Sequence, residues 1–193
     1  MARSAEHTAT YADLEKVPQH LVAEILFGSV VTHPRPSPRH AVASNSLGHE
    51  LTGPFQKGRS GPGGWVFMTE PELHLGPHVI VPDLAAWRRE RMSEMPDKAY
   101  IESPPDWVCE VISPSTEAVD RGFKRRIYAT YGIGHLWYLD PIAKILEVFE
   151  LRDEQWVLHD TYVDDAEVNA PPFAAVPFQL SALWPLDTRP DQT

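Results

Sequence analysis

The segment Trp107-Val108-Cys109-Glu110-Val111-Ile112 constrains the fold most, because it sets one carboxylate inside an otherwise apolar run of strand length. Carboxylates are rarely buried unless something pairs with them, since taking the charge out of water costs several kcal/mol. Two readings are open at this point. Either Glu110 faces solvent from the outer side of a half-covered strand, or a cation draws it inward. Directly downstream, Ser113-Pro114 supplies a helix cap followed by proline at the first helical position. The spacing predicts a helix from Thr116 to Tyr131 with an apolar stripe at Val119, Phe123, Ile127 and Tyr131, ended by Gly132 and Gly134. Such a helix must fold back over the sheet, which carries Lys124 toward Glu110.

A second acid, Asp83, closes the apolar run His78-Val79-Ile80-Val81-Pro82. Two strand-borne acids and a lysine have the composition of a metal-dependent hydrolytic site. The acids hold Mg²⁺, the ion activates water, and the lysine steers that water or balances developing charge. The plainer alternative for Lys124 is a surface pairing with Asp120, one helical turn away. A glycosidase built on paired carboxylates fits less well, because it leaves Lys124 without a role.

Proline and glycine divide the rest of the chain. His33-Pro34-Arg35-Pro36-Ser37-Pro38 reads as an extended connection, and Gly58 to Gly64 as a loop. A short helix is expected from Ala9 to Lys16, a hairpin turning at Gly28 within Ala23–Val31, and a helix over Ser37–Leu51. Strands are expected at Trp65–Leu73 and His78–Val81, the second continuing through Leu84–Arg88. Further strands follow at His135–Leu139, Ile145–Glu150 and Gln155–Val163. Strand, helix, then several strands predicts a single-domain α/β fold with a mixed sheet flanked by helices. The boundaries are an N-terminal segment at 1–16, the domain at 17–165, and a proline-rich acidic tail at 166–193.

Other candidates are weaker. His74 and His78 are four apart, but Gly76-Pro77 prevents the helix that would align them on a metal. His40 and His49 read as surface histidines of a helix, able to meet phosphate only if that helix faces a substrate. Gly61-Pro62-Gly63-Gly64 lacks the Lys-Ser/Thr of a phosphate loop.

Charge bears on partners. The 193-residue chain has a net charge of −10, which argues against a general nucleic-acid binder, whose footprint is basic. Residues 1–139 carry only −2 of this, however, and residues 140–193 carry −8. The near-neutral part contains one basic run, Arg121 to Arg126, whose Arg121, Arg125 and Arg126 are candidates for phosphate contact. No run approaches a membrane span, and the single Cys109 forms neither an intrachain disulfide nor a zinc cluster. A soluble, cytoplasmic protein is expected.

Three blocks carry a family resemblance. Gly63 to Phe67, Glu70 to Gly76 and Val81 to Arg88 form the first. Pro105 to Thr116, with Asp120, Lys124, Tyr128 and Tyr131-Gly132, forms the second, and His135 to Pro141 the third. Their order and combination resemble the Uma-two family of restriction endonucleases, itself similar to the PD-(D/E)XK nuclease superfamily. The resemblance implies a restriction-endonuclease-like central mixed sheet flanked by helices. It implies an endonuclease hydrolysing DNA with Mg²⁺, or with Mn²⁺, in which Pro82-Asp83 is the PD element and Glu110 the second acid. The superfamily's lysine two residues beyond that acid is replaced here by Ile112, and Lys124 matches the family's lysine on the following helix. Glu24 matches an N-terminal acid, an auxiliary ligand or base. A homodimer is the expectation for cutting duplex DNA. The alternative is a non-catalytic nucleic-acid-binding or regulatory module on the same fold.

Overall fold

The computed structural model describes residues 8–185. After a one-turn helix α1 (Tyr11–Leu14), the strands β1 (Leu21–Leu26) and β2 (Ser29–Pro34) pair as an antiparallel hairpin. Its turn is Phe27-Gly28, both at positive φ (50° and 78°), which matches the right-handed twist of the two strands. Helix α2 (Pro38–Leu51) is capped by the Ser37 side chain, which accepts from the His40 amide at 3.3 Å. A π-helical turn (Thr52–Gln56) and the glycine loop lead into β3 (Trp65–Thr69), β4 (Leu73–Leu75), β5 (His78–Ile80) and β6 (Leu84–Arg88). β7 (Trp107–Val111) precedes α3 (Glu117–Val119), a π-helical turn (Asp120–Lys124) and α4 (Arg125–Thr130). The chain then runs through β8 (His135–Asp140), β9 (Ile145–Arg152), β10 (Gln155–Val163), β11 (Glu167–Val168), β12 (Phe178–Gln179) and a 3₁₀ turn at Leu180–Leu183.

The central sheet has six strands in the order β10-β9-β8-β7-β6-β3, and it is mixed because β7 and β8 run parallel. A second sheet, β2-β1-β5-β4, is antiparallel throughout. The expected continuation of β5 into β6 is corrected here. The chain breaks at Val81-Pro82-Asp83 and crosses from the second sheet to the central one, because Pro82 has no N–H for a ladder. The expected strand Trp65–Leu73 is likewise interrupted, at Glu70-Pro71.

Alternation along β7 sends its side chains to two different cores. Trp107, Cys109 and Val111 pack with Trp137, Leu139 and Val148 against Ala43, Leu47 and Leu51 of α2. Val108 and Ile112 face the other way, toward Leu26, Leu73 and Ile80 of the second sheet and toward Ile127 and Tyr128. Glu110 shares their parity, so it points between layers and not into solvent.

Two further expectations are corrected. The cap falls on Thr116 and not on Ser113, and the stripe Val119/Phe123/Ile127/Tyr131 is broken at Phe123, although Ile127 is buried and Val119 and Tyr131 pack against the same core. Phe123 is 46% exposed, whereas Asp120, Lys124, Ile127 and Tyr128 are buried. The π-helical turn holds an extra residue per turn and shifts the register of everything after it. Residues 166–185 are not a loose tail. Phe173 sits among Phe55, Trp65, Phe67, Trp107 and Trp137 at ring-centroid distances of 4.9–5.7 Å, and Leu180, Leu183 and Trp184 complete the same core. Residues 186–193 lie outside the described part. No helix among the described residues is long and apolar enough to cross a membrane.

Candidate active site

A cleft of about 560 Å³ opens where the β2–α2 connection, the Val81–Asp83 crossing and the start of the helical segment after β7 meet. Asp83, Glu110, Asp120, Lys124, His33 and His40 all contribute to its lining. The crossing between sheets delivers Asp83 to this place, and β7 delivers Glu110. One hydrogen bond joins them locally: the amide of Val111, the residue after Glu110, donates to Asp83 Oδ2 at 2.7 Å. The other carboxylate oxygen of Asp83 lies 3.2 Å from His40 Nε2. With its side chain 17% exposed, Asp83 stands at the mouth of the cleft. Burial works against a charged His40, but the Asp83 hydrogen bond and charge outweigh it and hold the imidazole above its ordinary value.

Deeper in, one ammonium serves three acids. Lys124 Nζ lies 3.1 Å from Glu24, 3.3 Å from Asp120 and 3.4 Å from Glu110, and it donates to the Val81 carbonyl at 3.3 Å. Lys124 is 3% exposed, Glu110 1% and Glu24 0%. Burial pulls the lysine down, yet Glu110, Glu24 and Asp120 together push it well above its usual range, so it stays an ammonium. Tyr128 donates its hydroxyl to Glu110 Oε1. Burial, with the charges of Asp120 and Asp83, still drives the Glu110 carboxyl well up despite Lys124. Glu24 goes the other way: burial opposes its charge, but Lys124, His33 and the Val81 amide hold it below the usual carboxylate range.

The donors suit a hard, oxygen-seeking cation. They are carboxylates, and Glu110 is a buried carboxylate short of positive charge. Among the described residues no three His, Cys, Asp or Glu side chains converge into a cage. Mg²⁺ does not need one, because it keeps several waters and is commonly held by one or two carboxylates with substrate phosphate. Asp83 and Glu110 are the pair that could hold it from the cleft.

The residues singled out from sequence separate into two groups. Asp83, Glu110 and Lys124 come together on the cleft, and Glu24 joins them from behind, in contact with Lys124. The three arginines of the basic run do not join them. Arg121 is held by Glu117 at 3.0 Å and by Glu147, and its guanidinium lies over the Tyr138 ring. Arg125 lies over Phe149, and Arg126, the one exposed member of the three, lies over Phe27. The arginines that do line the cleft, Arg35 and Arg39, come from the proline-rich connection and the start of α2. Sequence reasoning also missed the roles of Asp120, Tyr128 and His33, and treated His40 as a surface residue. The 120/124/128 spacing of acid, base and phenol, each one turn apart, was the available signal for the first two. His74 and His78 are not a metal pair: His74 bonds Glu72 at 2.7 Å, and His78 Nδ1 accepts from the Phe27 amide at 3.2 Å.

Comparison with known proteins bears on both fold and site. The family model Uma2, described as "Putative restriction endonuclease", matches residues 8–183. The fold is similar to a crystal structure from Anabaena variabilis ATCC 29413 titled as "a putative nuclease belonging to DUF820". The TM-score is 0.72 at 20% sequence identity, covering 91% of this chain and 97% of that one. No curated protein matches.

Proposed function

Because this chain belongs to the Uma2 family, we propose that it is a metal-dependent nuclease that hydrolyses phosphodiester bonds of DNA at the Asp83–Glu110 cleft. The observation that carries this reading is the joining of two acids from different elements at one cleft, through the Val111 amide, with a buried ammonium beside them. Asp83 and Glu110 would hold Mg²⁺ or Mn²⁺, which would supply Lewis acidity to the reacting phosphoryl group.

The remaining work falls to this chain's own groups. Lys124 keeps a fixed positive charge at the cleft floor, where negative charge grows as the phosphoryl group reacts. His40 fixes the rotamer of Asp83 by occupying Oδ1, and the Val111 amide occupies Oδ2. Arg35 and Arg39 flank the opening and meet the substrate backbone. Two copies presenting two such clefts suit a duplex substrate, so a homodimer belongs to the same reading.

The reading is tested by incubating the purified chain with labelled DNA under a Mg²⁺ titration, beside Asp83→Asn and Glu110→Gln. Metal-dependent cutting that each substitution abolishes supports it, and undiminished cutting by either variant refutes it. One observation favours a second reading, a module that binds DNA without cutting. Lys124 already neutralises part of the charge of Glu110, which lowers the need for a metal ion. Salt-dependent DNA binding with no cleavage across DNA, RNA and divalent metals would select it.

A further inference from the structure

Glu24 is the most enclosed charge of the cluster, and it does not contribute to the cleft lining. A metal ligand or general base has to reach the reacting atoms, and Glu24 lies behind Lys124. Its contacts lead elsewhere. Glu24 Oε1 accepts from the Val81 amide at 2.7 Å and lies 3.1 Å from Lys124 Nζ, while Lys124 donates to the Val81 carbonyl at 3.3 Å. One ion pair therefore grips both polar groups of the Val81 residue.

Val81 opens the three-residue crossing that carries the chain from β5 to β6 and has Asp83 at its end. The crossing belongs to no ladder, and Pro82 has no amide to donate. Besides the Glu24–Lys124 grip on Val81, its backbone is held by the Glu70 amide, which donates to the Asp83 carbonyl at 3.0 Å. A segment with so few backbone hydrogen bonds takes its conformation from whatever anchors it.

The geometry points to Glu24 as a positioning residue: through the Val81 peptide and Lys124 it fixes the crossing that aims Asp83 into the cleft, and it touches neither metal nor substrate. The assignment rests on the nuclease reading for what Asp83 does, but not for how Asp83 is held. Glu24 takes the place of a structural pin between the two sheets, and its second oxygen, buried without a hydrogen bond, faces His33 Nε2 at 3.6 Å.

Two variants separate this role from that of a ligand. Glu24→Gln keeps an acceptor for the Val81 amide and removes the charge beside Lys124, and Glu24→Ala removes both. Amide hydrogen exchange on the metal-free full chain reads the positioning directly. In Glu24→Ala, exchange at Val81 and at Val111, the donor to Asp83, should accelerate about 10-fold or more, with the amides of β9 and β10 unchanged. Unaltered exchange at Val111 overturns the assignment.

The second measurement is single-turnover cleavage against Mg²⁺ concentration. The maximal rate should fall in the order wild type, Glu24→Gln, Glu24→Ala, to about 10²-fold for the last, with the Mg²⁺ midpoint and the KM for DNA unchanged. A raised midpoint in Glu24→Gln would make Glu24 a ligand and overturn the assignment even if Glu24→Ala fails to fold. A wild-type chain that never cuts removes the nuclease reading, and exchange at Val111 still decides whether Glu24 positions Asp83.

Discussion

Lys124 Nζ lies 3.1 Å from Glu24 Oε1, and the two residues come from different layers: Glu24 from β1 of the antiparallel sheet, Lys124 from the π-helical turn beside the central sheet. The pair is almost wholly removed from water. A buried pair of this kind contributes little net stability relative to apolar packing, but it is costly to break, because the surviving charge loses its partner. Asp120 and Glu110 depend on the same ammonium. The cluster thus has one cation for three acids, an arrangement in keeping with the metal site proposed above.

Replacing Lys124 by Ala should destabilise the chain by about 3–5 kcal/mol, the cost of leaving buried acids uncompensated. Denaturant unfolding of the two proteins measures it. A loss of only a few tenths of a kcal/mol would mean that the acids find other partners.

Glu110→Gln should do the reverse in metal-free protein. The folded state holds the Glu110 carboxyl well above its ordinary value, so its favourable contribution is present below the unfolded pKa of about 4.5 and is lost as the pH rises through the folded pKa. At neutral pH, burying an acid that is ionised in the unfolded chain carries a cost that Gln does not impose. The variant should be the more stable by on the order of 1 kcal/mol, with the gap closing toward acid pH. Thermal denaturation at neutral and acid pH checks the sign. Added Mg²⁺ should stabilise the wild type and leave the variant unmoved.

His33 gives a second pH signature. The Glu24 carboxylate, which faces its Nε2 at 3.6 Å, outweighs burial and Lys124 and raises the imidazole above its ordinary 6.5. The stabilisation from protonated His33 is complete below about pH 6.5 and disappears as the pH climbs through the raised value. The stability advantage of wild type over His33→Asn should therefore be larger in mildly acid solution than in mildly alkaline solution. An advantage that grows with pH would contradict the Glu24 contact.

Much of this was legible in the sequence where one element carries its own signal. The β7 run, the Gly28 hairpin turn and the α2 helix are local, and each appears where expected. The break in the stripe at Phe123 was not legible, because a 3.6-residue period cannot register a π-helical turn that also brings Asp120, Lys124 and Tyr128 onto the buried face. His40 reads as a surface residue until Asp83, distant in the chain, is folded against it. Family likeness supplied Glu24, and the fold-back of the helix after β7 supplied Lys124; no local pattern marks either as buried. The C-terminal segment failed differently: Val168, Ala170, Phe173, Phe178, Leu180, Leu183 and Trp184 reach the core from short irregular pieces that leave no period to detect.

Phe173 tests that last correction. Its ring touches five aromatic neighbours of the core, so Phe173→Ala should cost about 3–5 kcal/mol, as for large-to-small changes at packed sites. A surface-like cost near zero in chemical denaturation would return residues 166–185 to the status of a tail.

The central claim is that Asp83 and Glu110 together hold a divalent ion, and Mn²⁺ soaked into crystals of the chain tests it most directly by anomalous scattering. The expected result is a single strong peak in the cleft within coordination distance of both carboxylates, about 2.1 Å for a Mg²⁺-like ion, absent from Asp83→Asn. A cleft without a peak at saturating Mn²⁺, with Asp83 still on His40 and Glu110 still on Lys124 and Tyr128, would contradict it.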